Sequence, residues 1–488
     1  MFNNQINKTF FLPLTTCLLL LVSCGIQKQI SKSAQQLVIK DSSLLTAHVG
    51  ISIYEPSTNK YWFNYQGDKY FVPASNTKLP TCYAAMKYLG DSLVGLRYEE
   101  DSFMVKIIPT GDPTLLHSDY KKQPVYDFFI NNAKGGYIIL PALKKIWQEE
   151  SWGNGWSWND YNYSYMAERS PMPIYGNYLT VILRHDSARF YANDNNLNVI
   201  PSFFKNKFIS PGLSSFKKFH FKRYIFENKF ELINNDSEFR SQTIPFVTNN
   251  IYTTFALLND TLSDIIYEKR KAEKRKQYLE LKTEYISKLP NKSDFKPFMI
   301  FDEIYGIDNH EKSMGIIRSQ PTDSLLKPMM HRSDNFFAEQ TLLMVSNEML
   351  GVMNDKKIID SLLKTDFKDL PQKPRWVDGS GLSRYNLFTP QDLVFILNRM
   401  KNDFPMERIK EILPTGGEGT LSSYYKADSN YIFAKTGTLS GVVALSGYLY
   451  TKKNKLLIFS VLVNNHQASA TAVRRAVEKF IQTIRNRN

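Results

Sequence analysis

Strand-like segments lie at both ends of this chain, and this arrangement constrains the fold more than any other feature. Near the start, residues 46–54 and 60–63 have the pattern of two strands joined by a polar turn. Near the end, residues 431–434, 442–450 and 456–463 predict three adjacent antiparallel strands. Because strands are stable only when paired, we expect one antiparallel sheet built from both ends of the chain, with the intervening residues as an insertion.

Amphipathic helices accompany these strands and predict an α+β fold. One helix is expected after Pro73 and another at the end of the chain. The apolar stripe of the final helix consists of Val473, Ala476, Val477, Phe480, Ile481 and Ile484. We expect residues 40–95 and 318–488 to form the antiparallel sheet flanked by helices. Residues 96–317 would form one or two inserted accessory domains, including a charged helix around residues 268–281.

The N-terminus has the features of an export signal. Lys8 precedes a mainly apolar run at residues 10–22, which is too short and too early for an ordinary spanning helix. Residues 21–24, Leu-Val-Ser-Cys, resemble the bacterial lipobox, in which Cys24 would carry diacylglycerol. A plain secretory signal with an incidental cysteine is the alternative. We therefore expect a lipoprotein signal peptide at residues 1–24.

The expected location is the periplasmic side of the cell envelope. No later apolar stretch is long enough to span a bilayer, so contact with the membrane is expected through the lipid anchor only. Gly25 follows the modified cysteine, where an Asp is associated with retention in the inner membrane, so the outer membrane is favoured. Beyond the signal region the single cysteine is Cys82, which excludes a disulfide framework.

Composition argues against nucleic-acid, metal and nucleotide chemistry. The formal net charge is +14, but many of the cations lie in apparently surface helices, where a solvated face is the simpler interpretation than a nucleic-acid patch. The 7 histidines are scattered without the spacing of a metal site. No glycine-rich phosphate loop or dinucleotide turn is present. We expect no metal and no cofactor.

A serine and a lysine at the start of the first helix have the spacing of a nucleophile and its base. Ser75 and Lys78 are three residues apart, so they share a helix face within hydrogen-bond reach. A serine hydroxyl needs a neighbouring base, and a lysine can serve only if its pKa is lowered. The spacing alone is weak evidence, because it recurs at pairs such as Ser57 and Lys60.

Two further triplets follow in a fixed order. Residues 333–335, Ser-Asp-Asn, precede a helix, and residues 435–437, Lys-Thr-Gly, continue a predicted strand; each triplet occurs once in the chain. Together with residues 75–78 they form the motif set of serine β-lactamases and penicillin-binding proteins. The longer motif segments are residues 73–78, 111–115, 156–160, 333–339, 378–384 and 413–421.

These motifs resemble those of the class C low-molecular-mass penicillin-binding proteins, the D-Ala-D-Ala carboxypeptidase/endopeptidase family. The similarity covers most of the mature chain, and the long gap between Lys78 and Ser333 fits a family that carries extra domains there. The resemblance implies a β-lactamase/transpeptidase-like domain. It also implies a cofactor-free serine hydrolase, with peptidoglycan peptides as substrates and β-lactam antibiotics as inhibitors.

The same resemblance implies a role for each catalytic residue. Ser75 would attack the carbonyl of the penultimate D-Ala and become acylated, with Lys78 as its base. Ser333 would relay the proton to the leaving amine. Lys435 would lower the pKa of Lys78 and attract the terminal carboxylate of the substrate.

Substrate-binding roles are implied in the same way. Asn335 would bond to the substrate backbone, and Thr436 would contribute to the binding strand. Gly437 would let the substrate approach the strand edge closely. The oxyanion would be held by the backbone N–H groups of Ser75 and Thr438.

Two places depart from the family pattern. Asp160 and Tyr165 of the insertion are candidates for contact with the free amine of the diamino acid, although Asn159 stands where the family has the first Asp of a pair. An aromatic core with an exposed Asp is the alternative there. Pro80 would remove an N–H group from the catalytic helix and puts its local geometry in doubt.

Two other functions remain open on this reasoning. One is a serine β-lactamase or esterase, which rarely needs an insertion of this size. The other is a catalytically silent peptidoglycan-binding lipoprotein. Against a silent protein, Ser75, Lys78, Ser333, Asn335 and Lys435 are all chemically intact.

Overall fold

The computed structural model describes residues 27–100, 105–132, 137–139, 143–183, 197–209, 218–238, 240–281, 292, 295–300 and 314–488. Cys24 and the expected signal peptide lie outside the described residues. Within the described part of the chain, no helix combines the length and apolar character that crossing a membrane requires.

Strands occur throughout the described residues. In chain order they are β1 (His48–Glu55), β2 (Lys60–Tyr65), β3 (Ser92–Glu100), β4 (Val105–Ile108), β5 (Tyr137–Ile139), β6 (Tyr178–Leu183), β7 (Leu197–Ile200), β8 (Phe208–Ile209), β9 (Lys218–Arg223), β10 (Phe230–Glu238), β11 (Ser241–Pro245), β12 (Phe298–Ile300), β13 (Gly315–Pro321), β14 (Ile432–Leu439), β15 (Val442–Tyr450) and β16 (Leu456–Asn464).

Most of the described helices lie in the last third of the chain, and the longest lies in its middle. Residues 27–34 are helical. The helices that follow are α1 (Lys78–Tyr88), α2 (Pro124–Asn131), α3 (Leu143–Ile146), α4 (Tyr252–Leu281), α5 (Thr322–His331), α6 (Asn335–Leu350), α7 (Asp355–Lys364), α8 (Pro390–Asp403), α9 (Met406–Ile412) and α10 (Ala470–Arg487).

The central sheet joins the two ends of the chain. Its strand order is β14-β15-β16-β1-β2, and all of its pairs are antiparallel. β1 pairs with β16 so that His48 lies opposite Asn464. The predicted sheet built from both ends is therefore confirmed. β14 extends beyond the predicted residues 431–434 through Lys435 and Gly437, and it forms one edge of the sheet.

Helices cover both faces of this sheet. On one face α1, α5, α6 and α8 share a core with β16, in which Leu79, Leu342 and Leu462 are fully buried. On the other face α10 packs on the sheet through Phe480 and Ile481. A fully buried apolar side chain of this size contributes about 1.5–3 kcal/mol relative to an exposed one. The two apolar layers hold β14 and α1 in fixed positions, and these two elements carry the Ser75 and Lys435 motifs.

The residues between the motif at residues 75–78 and the triplet at residues 333–335 form further sheets. β12-β5-β4-β3-β13 form a five-stranded sheet, and β8-β10-β9 and β11-β6-β7 form two three-stranded sheets. These strands share an apolar core with α2 and α4. The expected charged helix around residues 268–281 is the second half of α4. β3 pairs with β13, so the chain enters and leaves the inserted residues on adjacent strands.

Candidate active site

Ser75 and Lys78 lie where a short 3₁₀ turn passes into α1. Ser75 belongs to the turn Ala74–Thr77, and Lys78 is the first residue of α1. The Lys78 Nζ donates to the Ser75 Oγ at 3.0 Å. Pro80 is the third residue of α1, in the first helical turn, where backbone N–H groups have no intrahelical acceptor. The helix therefore accommodates Pro80 without losing the expected contact between serine and lysine.

Lys78 is fully buried and surrounded by acceptors. Besides Ser75, its Nζ donates to the Asn335 Oδ1 at 2.7 Å and to the Ser380 carbonyl oxygen at 2.8 Å. Burial lowers the pKa of Lys78 to about 8, although the carboxylates of Asp378, Glu339 and Asp334 raise it. The dominant cause is desolvation of the ammonium group, which favours the neutral amine.

Lys435 lies on β14 and contacts Ser333. Its Nζ donates to the Ser333 Oγ at 2.8 Å and to the Thr436 carbonyl oxygen at 2.8 Å. The side chain is fully buried; burial first, and the charge of Lys78 second, hold the pKa of Lys435 well below its ordinary value. Lys435 was expected to lower the pKa of Lys78, whereas burial of Lys78 is the main cause of that lowering.

Backbone strain marks the two serines. Ala74, next to Ser75, has a φ of 46°, and Ser333 has a φ of 62°, both in the left-handed region that non-glycine residues rarely adopt. Asp334 caps α6 by accepting from the Phe337 N–H at 3.0 Å. Strained conformations of this kind persist only where the surrounding structure imposes them, and they cluster at functional sites.

Gly437 lets β14 lie against the turn that carries Ser75. A Cβ atom at Gly437 would lie 2.7 Å from the Pro73 carbonyl oxygen and 3.1 Å from the Ser75 nitrogen. Gly437 was expected to allow close approach of a substrate, and these distances show that the packing of the protein itself also requires a glycine here. On either side of it, the Thr436 Oγ1 bonds to the Thr420 Oγ1 at 2.7 Å, and the Thr438 Oγ1 accepts from Arg474.

Asn335 connects these residues to the intervening segment. Its Nδ2 donates to the Tyr165 carbonyl oxygen at 3.0 Å, and the Tyr165 ring stacks on that of Tyr163 at 5.3 Å. Burial first, and Asp160 second, raise the pKa of Tyr165 to about 12. The structure therefore brings both Asp160 and Tyr165 to the site, beside Asn335.

One open cleft of about 1140 Å³ joins these residues. That volume exceeds the roughly 300–1,000 Å³ of most small-molecule pockets, so the cleft can accept a branched or extended ligand. Its lining includes Ser75, Asp160, Tyr165, Ser333, Asn335, Thr420, Thr436, Thr438, Arg384 and Arg474. In the described part of the chain, no cluster of three or more His, Cys, Asp or Glu side chains could hold a metal ion.

The turn at residues 378–384 contacts the catalytic residues directly, which its motif in the sequence did not reveal. The Ser380 N–H donates to the Glu339 Oε1 at 2.7 Å, while the Ser380 carbonyl oxygen accepts from Lys78. Asp378 accepts from the Gly381 N–H at 2.8 Å and from the Trp156 Nε1 at 3.0 Å. Glu339 and Asp378 both stood within the quoted motifs, and acidic residues inside otherwise apolar or glycine-rich motifs were the available signal.

A family model decides the relationship of this chain to known proteins. The model of the D-Ala-D-Ala carboxypeptidase 3 (S13) family matches residues 31–190 and 307–484, which together make up more than half of the chain. The chain belongs to the D-Ala-D-Ala carboxypeptidase 3 (S13) family. The resemblance drawn from the sequence motifs is confirmed. The unmatched residues between the two matched parts, 191–306, lie within the expected insertion.

Curated relatives align over part of their length. The carboxypeptidase DacB of Mycolicibacterium smegmatis is 28% identical over 182 residues, 35% of this chain and 39% of the relative. The D-alanyl-D-alanine carboxypeptidase DacB of Haemophilus influenzae is 27% identical over 186 residues, 34% of this chain and 37% of the relative. The chain thus spans less than two-fifths of the length of either relative in these alignments.

A solved structure matches over nearly the full length. Penicillin binding protein 4 (dacB) from Haemophilus influenzae superposes with a TM-score of 0.64 at 17% identity, covering 93% of this chain and 98% of that one. A second structure of that protein is complexed with a β-lactam. At this identity the match shows the fold, which is the predicted β-lactamase/transpeptidase-like α+β fold with extra domains.

Proposed function

We propose that this protein is a serine D-Ala-D-Ala carboxypeptidase/endopeptidase that hydrolyses peptidoglycan stem peptides and cross-links through an acyl-enzyme. The observation that carries the proposal is the hydroxyl of Ser75 at 3.0 Å from the Nζ of Lys78, a fully buried lysine whose pKa is lowered to about 8 by burial. A lysine in that state is a base near neutral pH, and the hydroxyl opens on a cleft of peptide size.

The reaction begins with proton transfer from Ser75 to neutral Lys78. The Ser75 Oγ then bonds to the carbonyl carbon of the penultimate D-Ala, and the developing oxyanion accepts from the backbone N–H groups of Ser75 and Thr438. Lys78 returns its proton to the leaving amine through Ser333, whose Oγ is held by Lys435, and the peptide bond breaks. Water then attacks the acyl carbon with Lys78 again as base, releasing the acid and regenerating Ser75.

Substrate is held on the outer edge of β14 from Lys435 onward, because the preceding Phe433 and Ala434 already pair with the backbone at residues 414–415. β14 is an edge strand, so an extended peptide can add to it with backbone hydrogen bonds. Asn335 and Thr436 face the cleft and contact the substrate backbone and its terminus. Asp160 and Tyr165, which line the cleft beside Asn335, bind the free amine of the diamino acid by charge and hydrogen bonding.

We place the catalytic domain at residues 40–95 and 318–488 and the accessory domains at residues 96–317. Support comes from the pairing of β3 with β13 and from the core that the intervening strands share. Tyr165, from the accessory part, contacts Asn335 through its backbone carbonyl. The accessory domains therefore supply part of the cleft wall, where they can orient the second strand of a cross-linked substrate.

The first test is digestion of a defined muropeptide mixture by purified protein without added metal or nucleotide. We expect loss of terminal D-Ala and conversion of cross-linked dimers to monomers, measured by chromatography and mass spectrometry. The Ser75→Ala protein, prepared in parallel, should leave the mixture unchanged. Loss of D-Ala with dimers untouched would restrict the enzyme to carboxypeptidase activity. No change together with tight binding to the sacculus would favour a silent binding protein.

The pH dependence is the second prediction. Below about pH 8 Lys78 is mostly charged and cannot accept the proton of Ser75, whereas above it the neutral amine predominates, so kcat/KM should rise as the pH increases through about 8. Burial first also raises the pKa of Glu339 to about 8, which makes Glu339→Gln the matched control. The Glu339 carboxylate raises the pKa of Lys78. In Glu339→Gln the increase of kcat/KM with pH should therefore persist but occur at a lower pH. Disappearance of the rise would assign it to Glu339.

The location follows from the N-terminus. Lipid attachment at Cys24 would place the protein in the periplasm on a membrane, with the outer membrane favoured by Gly25. Mass spectrometry of the mature N-terminus should find a lipidated cysteine, and an unmodified terminus at another residue would remove the anchor. β-Lactams are the expected inhibitors, and the relative from Haemophilus influenzae has been crystallised with one.

A further inference from the structure

Lys435, the expected partner of a substrate carboxylate, does not face the cleft. Its side chain is fully buried, and its Nζ donates to the Ser333 Oγ and the Thr436 carbonyl oxygen. It is absent from the residues that line the cleft. The ammonium group of Lys435 therefore lies behind Ser333 and bonds to its hydroxyl. An ion pair with a ligand in the cleft requires another cation.

Arg474 is a cation at the cleft beside the outer end of β14. It projects from α10, lines the cleft with Thr436 and Thr438, and donates to the Thr438 Oγ1. Its guanidinium lies over the Tyr424 ring, 5.9 Å from the ring centroid. Within the described residues no carboxylate forms an ion pair with Arg474, while its neighbour Arg475 pairs with Glu478 at 2.5 Å.

The contact between Arg474 and Thr438 orients the Thr438 hydroxyl group. Because the Thr438 Oγ1 accepts a hydrogen bond from Arg474, its own O–H remains available to donate into the cleft. Arg474 itself carries five N–H donors in a planar fork, and the contact with Thr438 leaves others available. A hydroxyl donor beside a guanidinium is a binding site for a carboxylate, for which arginine is better shaped than lysine.

We propose that Arg474 binds the carboxylate carried by the leaving amino acid, on the carbon next to the scissile amide nitrogen. The inference rests on the proposed function, because it takes Ser75 as the nucleophile and β14 as the substrate strand. It makes Arg474 a specificity-determining residue for both cleavages: a terminal D-Ala presents this carboxylate, and so does the end of a diamino acid with a free α-carboxylate. Substrates in which that carboxylate is amidated are rejected.

Arg384 is the competing cation in the cleft. It comes from the turn at residues 378–384 and donates to the Ser440 carbonyl oxygen at 2.9 Å. That contact is with the backbone of the turn that follows β14, whereas Arg474 bonds to a side chain next to Gly437 and the Ser75 turn. Arg474 is therefore the cation placed beside the leaving group.

The test compares a stem peptide ending in D-Ala-D-Ala with the same peptide ending in D-Ala-D-alaninamide. In Arg474→Gln we expect kcat/KM for the acid to fall roughly 10- to 100-fold, the range for a lost hydrogen bond to a charged group. The value for the amide should change less than about twofold, because the amide makes no ionic contact. Arg474→Lys, which keeps the charge, should restore part of the preference for the acid.

Lys479→Gln is the matched control, because it removes one exposed positive charge from the same helix outside the cleft. It should leave both rates unchanged. Equal losses for acid and amide in Arg474→Gln would overturn the inference while leaving the proposed function intact, and so would loss of the acid preference in Arg384→Gln alone. If the wild-type protein releases neither product, the proposed function fails and this inference with it.

Discussion

Replacement of Ser75 by alanine should abolish covalent labelling by a fluorescent penicillin. A β-lactam presents a strained amide to the nucleophile and keeps its leaving group tethered after ring opening, so the acyl-enzyme accumulates on an active serine. In the structure Ser75 is the hydroxyl paired with the buried Lys78, at 3.0 Å, and it lines the cleft. Without its Oγ no bond to the acyl carbon can form. The measurement is gel fluorescence after incubation with the labelled antibiotic.

The chain supplies its own control for this experiment. Ser57 and Lys60 have the same spacing as Ser75 and Lys78, but both are exposed, at the turn between β1 and β2. Ser57→Ala should label like the parent protein. Undiminished labelling of Ser75→Ala would mean that another residue is the nucleophile. Mass spectrometry of the labelled peptide would then identify that residue.

Replacement of Arg169 by methionine should destabilise the protein by about 3–5 kcal/mol, the effect of removing one partner from a buried ionic cluster. Arg169 bonds to Asp355 at 2.7 Å and to Glu149 at 3.0 Å, and it lies 3.7 Å from Glu339. The side chain of Arg169 is only 2% exposed, so the three carboxylates would lose their cation in a dry environment. Urea denaturation monitored by fluorescence gives the free energy of unfolding.

The pH dependence separates this electrostatic effect from a loss of packing. Burial first raises the pKa of Glu149 to about 7 and that of Glu339 to about 8, and Arg169 opposes both shifts. Without Arg169 these pKa values rise further, so the folded variant takes up protons as the pH falls and recovers stability. The decrease in the free energy of unfolding caused by Arg169→Met should therefore be smaller at about pH 6 than at about pH 9.

Lys229→Met is the control for the loss of a single cation. Lys229 pairs with Glu227 at 2.6 Å, and both side chains are more than half exposed. Its removal should leave the free energy of unfolding unchanged within error, because solvent screens exposed pairs. If Arg169→Met were as stable as this control at every pH, the cluster would have no structural role.

Arg169 also connects the accessory part of the chain with the catalytic lysine. It contacts Glu339, whose carboxylate accepts from the Ser380 N–H, and the Ser380 carbonyl oxygen accepts from Lys78. Lys78 is identifiable from its motif in the sequence, but this chain of contacts is not. The reason is that Arg169, Glu339 and Ser380 are far apart in sequence, and no local pattern relates them.

The ends of the chain illustrate what local patterns can predict. Alternating apolar residues and turn residues predicted the strands β1, β2, β15 and β16. Their pairing could be predicted because strands that are consecutive in the chain are usually neighbours in a sheet. The apolar stripe of the final helix predicted α10 and the face that it buries. The strand-like pattern at residues 431–434 stops before Lys435 and Gly437, which are residue types depleted in strands, but the Lys-Thr-Gly triplet was correctly placed in the continuation of that strand.

The sequence by itself determined the motif set, the family and the α+β fold, because these depend on residue order and on local periodicity. Tertiary structure alone decided the electrostatics. The sequence placed Lys78 beside Ser75, but only the fold shows that Lys78 and Lys435 are both fully buried and that Lys435 bonds to Ser333. Tertiary structure also brought Arg474 to Thr438 and left it free of any carboxylate among the described residues. The physical reason is that pKa values and ligand contacts depend on burial and on neighbours from distant segments, which become neighbours only when the layers pack.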